Sequence, residues 1–351
     1  MLAPMLHILP RTTIVRERVL PVAGKVNAHM NQRVSPTDVI AEANYAREHI
    51  LLDVARTFGV TAAAADKMIK VNEGDRVSVG ALIAEGGGMF SRAIRAPRPG
   101  RVMVVGGGQV LMEVGDARVE LKAGLPGQVI QIVPERGVVI RTAGSLIQGM
   151  WGNGRIENGQ MRILISKPDD ALMADRLDVS MRGSVILGGH VHDVETLRAG
   201  AEQQIRGLIV ASMLSSLIQT AYQMRYPILV LDGFGTLPMN SAAYKLLSTN
   251  EGNEVTVNAE HFDRYSANRP EAIIPTQGTS EPDEPRPYET FAVGLTVRMR
   301  RPPFVGMIGT ISNLPPGLSI LESGLRAPAA DVRLENGETV TVPLVNLEVV
   351  G

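Results

Sequence analysis

An internal repeat in the first quarter of the chain constrains its fold most strongly. Residues 30–43 (MNQRVSPTDVIAEA) and 73–86 (EGDRVSVGALIAEG) align without gaps, with Arg-Val-Ser and Ile-Ala-Glu at matching places. Pro-Gly pairs at 99–100 and 126–127 add turn signals. Short strands separated by glycine and proline every roughly 8–12 residues predict a compact β sandwich or barrel. Repeated units of this kind bury their apolar faces against each other.

The second copy and the residues after it resemble the barrel-sandwich hybrid domain of biotinyl and lipoyl carriers. The version in the C subunit of Rnf-type electron-transport complexes is the most similar one. The resemblance implies two hammerhead half-motifs, with glycines where the backbone reverses. It predicts that residues 1–145 form this domain, with a helical insert at 45–69. The matching residues are Gly74, Asp75, Val77, Gly80, Ile83, Ala84, Glu85, Ala96, Pro97, Gly100 and Val102.

Two short helices are predicted inside that insert. Ala46, Ile50, Val54 and Phe58 are spaced four residues apart, which is typical of one face of a helix. Gly59 follows at the position where a left-handed C-terminal cap belongs. Carriers of the lipoyl class usually lack such an insert, so the resemblance implies an elaborated version of the domain.

The carrier resemblance raises the question of a covalently attached cofactor. Carriers hold it on a lysine at an exposed hairpin, in a Met-Lys-Met or Asp-Lys sequence. Lys67 follows Asp66 here, but it lies in the insert before the Gly74 turn, and no Met-Lys-Met is present. The chain also has no cysteine, which excludes cysteine-ligated iron–sulfur clusters, thiolate zinc sites and a cysteine nucleophile. We therefore expect the fold without a cofactor.

Residues 183–258 change to an α/β pattern. Wholly apolar strands alternate with amphipathic helices, which predicts a parallel sheet within a small α/β domain at 146–265 that begins with a glycine-rich stretch. Open sheets of this type bind ligands at the carboxyl ends of their strands, next to helix N-termini. The same polar residues could instead only cap the helices. The candidate ligand-binding residues are Ser212, Ser215, Ser216, Asp232, Gly233, Gly235, Asn240 and Ser241.

Two histidines follow the first of these strands. His190 and His192 are two residues apart, so on a strand they face the same side, and Asp193 comes next. A His-x-His pair binds zinc when a third ligand converges on it. The alternative is that Asp193 simply caps the following helix.

The last part of the chain returns to β patterning. Five prolines and several acids within 268–290 predict a linker at 266–290.

Residues 291–351 are similar to a KOW-type SH3-like barrel. That resemblance implies nucleic-acid binding, for which Arg298, Arg300 and Arg301 are the candidate residues. Residues 292–351 balance five arginines with five acids, which argues against a phosphate-binding face. The residues that carry the resemblance are Gly306, Gly309, Thr310, Val332, Leu334, Gly337, Val340, Val342, Pro343, Asn346, Leu347 and Glu348.

Together these patterns predict a multidomain β plus α/β protein: a barrel-sandwich hybrid, a small parallel α/β domain and an SH3-like β-barrel. The net charge of −1 and the lack of an apolar run of about 18 residues predict a cytoplasmic protein without a membrane span. No nucleophile–base pair is recognisable. The function expected is a non-catalytic scaffold or accessory protein that assembles other proteins, including copies of itself. The alternatives are a small-ligand or anion sensor, or an enzyme, using the strand ends, and a nucleic-acid-binding KOW factor.

The expectation about the carrier lysine can be checked directly. The intact mass of the protein purified from its native host should equal the mass of the unmodified chain, because no lysine stands in a carrier hairpin sequence. Mass spectrometry of the whole protein measures this. An added mass that maps to Lys67 would contradict the expectation.

Overall fold

The computed structural model describes residues 2–45, 48–87, 92–115, 117–263, 268–276, 284–286, 288–321 and 323–351. The predicted insert and the predicted linker each fall partly outside these residues. The described residues form thirty mostly short strands in several sheets and five short helices. The β-rich character predicted from the sequence is therefore confirmed, and a multidomain arrangement is compatible with these sheets.

Most of the regular elements in the first 148 residues are short strands. The elements are β1 (Leu2–Ala3), β2 (Met5–Leu6), β3 (Ile8–Val19), β4 (Lys25–Val26), β5 (Arg33–Val34), β6 (Val39–Tyr45), β7 (Glu48–Asp53), α1 (Val54–Phe58), α2 (Ala62–Asp66), β8 (Arg76–Val77), β9 (Leu82–Glu85), β10 (Ala93–Arg95), β11 (Gly100–Gly106), β12 (Gln109–Val114), β13 (Ala117–Lys122), β14 (Gly127–Val133) and β15 (Gly137–Gln148).

Helices and strands alternate in the middle of the chain, and the rest is again β. The elements are β16 (Trp151–Gly152), β17 (Ile156–Ile163), β18 (Ser184–Val191), α3 (Val194–Glu202), β19 (Gly207–Met213), α4 (Ile218–Gln223), β20 (Ile228–Phe234), α5 (Ser241–Ser248), β21 (Glu254–Asn258), β22 (Glu271–Pro275), β23 (Glu289–Thr290), β24 (Thr296–Met299), β25 (Ile308–Asn313), β26 (Ser319–Ile320), β27 (Arg326–Ala327), β28 (Ala329–Leu334), β29 (Thr339–Pro343) and β30 (Leu347–Val350).

Two β modules with the same strand pairing are nested in the N-terminal region. The outer module consists of β3–β6 and β13–β15, and the inner module of β7–β12 with α1 and α2. Their registers agree even at the irregularities, because β11 slips between Val102 and Val104 and β14 slips between Val129 and Gln131. Three cross-strand pairs of the inner module have equivalents in the outer one. In the inner module they are Arg101–Arg76, Leu111–Leu51 and Ile94–Ala84. The corresponding pairs of the outer module, in the same order, are Gln128–Arg33, Val139–Glu17 and Leu121–Ala41.

Each copy of the sequence repeat lies in a different module. Residues 30–43 pair with β13 and β14 in the outer module, and residues 73–86 pair with β10 and β11 in the inner one. Val34, Ile40 and Ile140 lie in one apolar core, whereas Ile83 and Val102 lie in a separate one. The segment between β6 and β13 is thus a complete second module rather than a helical insert at 45–69.

The helix predicted over 45–58 is mostly a strand. Glu48–Asp53 pairs with β12 over six residues, and only Val54–Phe58 is helical. The apolar spacing arises because Ile50 on the strand and two residues of α1 pack into the same core. Gly59 does adopt the left-handed conformation that ends α1, as expected. Ala46 lies outside the described residues.

One large sheet joins the outer module to the α/β region. Its order is β16-β20-β19-β18-β17-β21-β22-β15-β14-β5, and β17 to β20 are parallel neighbours, which confirms the predicted parallel strands. Helix α5 packs on one face, and α3 and α4 pack on the other. Because β15 runs through both parts, the boundary predicted after residue 145 falls inside a strand. Strand β22, predicted as linker, is buried between β21 and β15.

The C-terminal region forms a six-stranded sheet in the open order β2-β30-β24-β25-β28-β29. Strand β2, from the N-terminus, lies parallel to β30. Ala3 therefore shares an apolar core with Val297, Val332 and Leu347. The C-terminal unit predicted as residues 291–351 is completed by the first residues of the chain.

The matched turns of the two modules generate a stability prediction. A side chain at Gly100 would collide with the carbonyl oxygen of Glu113, and one at Gly127 would collide with that of Arg141. Gly100→Ala and Gly127→Ala should each lower the free energy of unfolding by about 1–3 kcal/mol. Gly87→Ala is the control, because nothing lies within 4 Å of its added Cβ. Chemical denaturation measures the difference, and equal stabilities of all three variants would contradict the nested pairing.

Candidate functional site

The carboxyl ends of the parallel strands lie together, as the sequence predicted. Ser212 of β19 is paired with Gly233 of β20, so the loops that follow these strands are neighbours. Asn240 caps helix α5, because its side-chain oxygen accepts a hydrogen bond from the backbone N–H of Ala243 at 2.9 Å. The structure therefore brings Ser212, Asp232, Gly233 and Asn240 to one crevice.

Asp232 is the charged centre of this crevice and is 7% exposed. Its carboxylate accepts hydrogen bonds from the backbone N–H and the side-chain amide of Asn240, both at 2.9 Å. A third bond, also at 2.9 Å, comes from the guanidinium of Arg298. Burial raises the pKa of Asp232 above its ordinary value, and the neighbouring Arg298 opposes that shift. All of these partners belong to the chain itself.

Arg298 reaches the crevice from β24 of the C-terminal sheet. Its side chain is 2% exposed and also donates to the backbone oxygen of Leu231 at 3.1 Å. It forms a second ion pair with Glu348 of β30, which is fully buried. Arg269 donates to the other oxygen of Glu348 at 3.3 Å. A network of two carboxylates and two guanidinium groups thus fills the space between the C-terminal sheet and the strand ends.

The other predicted ligand residues have local structural roles or stand apart. The Ser212 hydroxyl donates to the backbone oxygen of Leu237 at 2.8 Å. The Ser241 hydroxyl donates to Glu335 of the C-terminal sheet at 2.6 Å, which is a second contact between the two regions. Ser215 and Ser216 lie on the surface.

Both predicted glycines support the turn after β20. Gly233 and Gly235 have φ angles of 131° and 119°, which side-chain-bearing residues rarely adopt. Between them, Phe234 packs edge-on against Trp151 at a centroid distance of 6.0 Å. The glycines therefore shape the loop beside an aromatic contact.

The two histidines lie close together without a third metal ligand. The rings of His190 and His192 are 5.8 Å apart, and His192 Nε2 is 3.9 Å from a carboxylate oxygen of Asp193. Asp193 accepts from the backbone N–H of Thr196 at 2.6 Å and caps α3. Among the described residues, no group of three His, Cys, Asp or Glu side chains is placed to hold a metal ion.

The three arginines considered for nucleic acid do not form one surface. Arg298 is buried in the ion network, whereas Arg300 and Arg301 are exposed. The sequence reasoning missed Glu348 and Arg269, which complete that network. The sequence does contain a sign of this network: a charged residue in the middle of each of two apolar strands. Arg298 and Glu348 each stand between residues of the C-terminal core.

Comparison with known protein families gives no match for this chain, and comparison with curated proteins gives none either. Within the described part of the chain, no helix is long and apolar enough to cross a membrane.

The buried network generates a pH-dependent prediction. Arg298→Met should lower the free energy of unfolding by about 3–5 kcal/mol near neutral pH, because Asp232 and Glu348 lose their buried counter-charge. When folding raises the pKa of an acidic side chain, the contribution of that side chain to the free energy of unfolding falls as pH rises through the raised pKa. The loss should therefore be smaller at acid pH, because burial raises the pKa of Asp232 and so favours its neutral form.

Urea denaturation at the two pH values measures this effect. Arg333→Met, which changes an exposed arginine of the same sheet, is the control and should cost less than about 0.5 kcal/mol. A loss for Arg298→Met that is equally small, or that grows towards acid pH, would contradict the role given to the network.

Proposed function

We propose that this protein is a non-catalytic scaffold whose inner module docks onto a second copy of the chain. The observation that carries the proposal is the outer face of the sheet β8-β11-β12-β7. Val104, Leu111 and Leu51 form a row across three strands of this face. Leu51 is 57% exposed and Val104 is 51% exposed. A contiguous apolar row on a sheet surface is typical of a protein contact.

The outer module provides an internal comparison for this row. Its equivalent positions hold Gln131, Val139 and Glu17, which is a polar row with one central valine. The same strand pairing therefore folds with polar side chains at both outer positions. Because the fold does not require Leu51 and Val104 to be apolar, their character supports a binding role.

Charged groups at the two ends of the face support a second copy as the partner. Arg76 and Arg101 are cross-strand neighbours at one end, and Glu113 of β12 stands opposite Arg101 on its other side, so this end has two arginines for one carboxylate. Asp53 and Glu73 lie towards the other end, since Asp53 pairs with Gln109 and Glu73 accepts from the backbone N–H of Val105. Two copies packed face to face with antiparallel strands would bring the arginines of each against the carboxylates of the other. Such a two-fold contact is the usual form of a homodimer.

The rest of the molecule fits the same proposal. The C-terminal sheet covers the strand ends of the α/β region, where a ligand was expected, and the ion network joins the two. The inner module contains its own apolar core, so it can present its face independently. We propose that the two modules are barrel-sandwich hybrids of the carrier type used without a cofactor, and that the C-terminal sheet is related to KOW-type SH3-like barrels.

A variant copied from the outer module tests the docking face. Leu51→Glu combined with Val104→Gln gives the inner module the polar pattern that Glu17 and Gln131 give the outer one. The wild-type protein should be a dimer at micromolar concentration, and this variant should weaken dimerisation by at least about tenfold. Light scattering coupled to size-exclusion chromatography and sedimentation equilibrium measure the association.

Val79→Gln is the matched control, because Val79 is 66% exposed but lies in the turn after β8. It should leave the dimer unchanged, and both variants should keep the wild-type melting temperature within a few degrees. A wild-type protein that stays monomeric, or a dimer that the double variant leaves intact, would contradict the proposal.

A further inference from the structure

A cavity of about 650 Å³ lies between the N-terminal strands, β3 and the segment before β22. This volume falls in the range of roughly 300–1,000 Å³ that is typical of small-molecule sites. His7, Arg16 and Arg269 line it, together with the ring of Phe262. Arg269 also belongs to the ion network at the strand ends, whereas His7, Arg16 and Phe262 lie outside that network and outside the face of the inner module.

His7 has an unmet hydrogen-bonding group beside this cavity. The residue is 8% exposed, and its Nε2 lies 3.0 Å from the backbone oxygen of Arg286, so Nε2 carries the proton. Nδ1 is therefore an acceptor, and no described residue donates to it. Burial lowers the pKa of His7, and the charges of Arg16 and Arg269 lower it further, whereas the hydrogen bond to the backbone oxygen of Arg286 and the side chain of Gln148 oppose this shift. Both guanidinium groups are thus close enough to act on the imidazole.

Arg269 has fewer partners than a buried guanidinium requires. Its side chain is 10% exposed, and its hydrogen bonds are one to Glu348 at 3.3 Å and one to the sulfur of Met150 at 3.7 Å. Glu348 is shared with Arg298, whose charge also lowers the pKa of Arg269, after the larger effect of burial. A guanidinium has five N–H donors, so several of them lack a partner among the described residues.

Arg16 and Phe262 complete the arrangement. Arg16 is held in place by two hydrogen bonds to Glu271, at 2.7 and 3.1 Å. The ring of Phe262 lies over the guanidinium of Arg269 at 5.3 Å, which orients that group and adds an apolar wall. The acids Glu17 and Glu284 also line the cavity, and both are exposed to solvent.

We infer that this cavity binds a small oxyanion that also carries a hydrogen-bond donor, with Arg269 contacting the anion and His7 Nδ1 accepting from the donor. Guanidinium groups pair with oxyanions through two parallel hydrogen bonds. An unprotonated imidazole nitrogen without a hydrogen-bond partner favours a ligand that donates a hydrogen bond. This binding function is separate from the scaffold role and does not depend on it.

Hydrogen phosphate and sulfate form a matched pair of probes for this site. The hydrogen phosphate dianion and sulfate have the same charge and nearly the same shape, but only hydrogen phosphate carries an O–H donor. A site with an unprotonated imidazole acceptor should therefore prefer phosphate. Isothermal titration calorimetry at constant ionic strength measures both affinities on the intact protein, and NMR of the histidine ring protons reports contact with His7.

We expect one phosphate per chain, bound at least tenfold more tightly than sulfate, with a perturbed His7 signal. Arg269→Gln should abolish the binding of both anions. His7→Phe should remove the preference and leave weak binding. Arg182→Gln, which changes an exposed arginine outside the cavity, should change nothing.

Wild-type protein that binds neither anion, or binds both equally, would overturn the inference without any variant. Phosphate binding that survives in a folded Arg269→Gln protein would overturn it as well. Circular dichroism of each variant shows whether it is folded.

Discussion

The position of the C-terminal sheet depends on one buried arginine. Taking Arg298 and its two carboxylate partners out of water is costly, and the cost is offset only when each charge is paired and hydrogen-bonded. Here Arg298 pairs with Asp232 and Glu348 and also donates to a backbone oxygen. A network of this kind tolerates little displacement. It therefore fixes the C-terminal sheet on the strand ends, in the crevice where many α/β proteins hold a ligand.

With that crevice filled, the features that remain available for interaction lie elsewhere. The nested modules share their register down to the same slips, yet Leu51 and Val104 of the inner module replace Glu17 and Gln131 of the outer one. The two modules can be compared position by position, because they share one strand pairing. A difference between equivalent exposed residues is therefore not required by the fold. The apolar row on the inner module therefore supports the proposed docking of a second copy, and the cavity beside His7 is distinct from that row.

The sequence predicted local features better than long-range ones. Apolar runs predicted the parallel strands, and Gly59 predicted the end of α1. The repeat was expected to form two halves of one domain, but its copies lie in two separate cores. Two other features depend on residues far apart in the chain: the pairing of β7 with β12, which replaced a predicted helix, and the pairing of β2 with β30. The same holds for the site, since Asn240 is eight residues from Asp232 in the chain but Arg298 is 66 residues from Asp232.

A double-mutant cycle between Asp232 and Arg298 tests the central claim most directly. Asp232→Asn and Arg298→Met are made singly and together, and the free energy of unfolding of each protein is measured by chemical denaturation. If the pair holds the C-terminal sheet on the strand ends, the double variant should be more stable than the sum of the single losses predicts, by about 2 kcal/mol or more. Losses that add within about 0.5 kcal/mol would contradict the claim that this buried pair organises the structure.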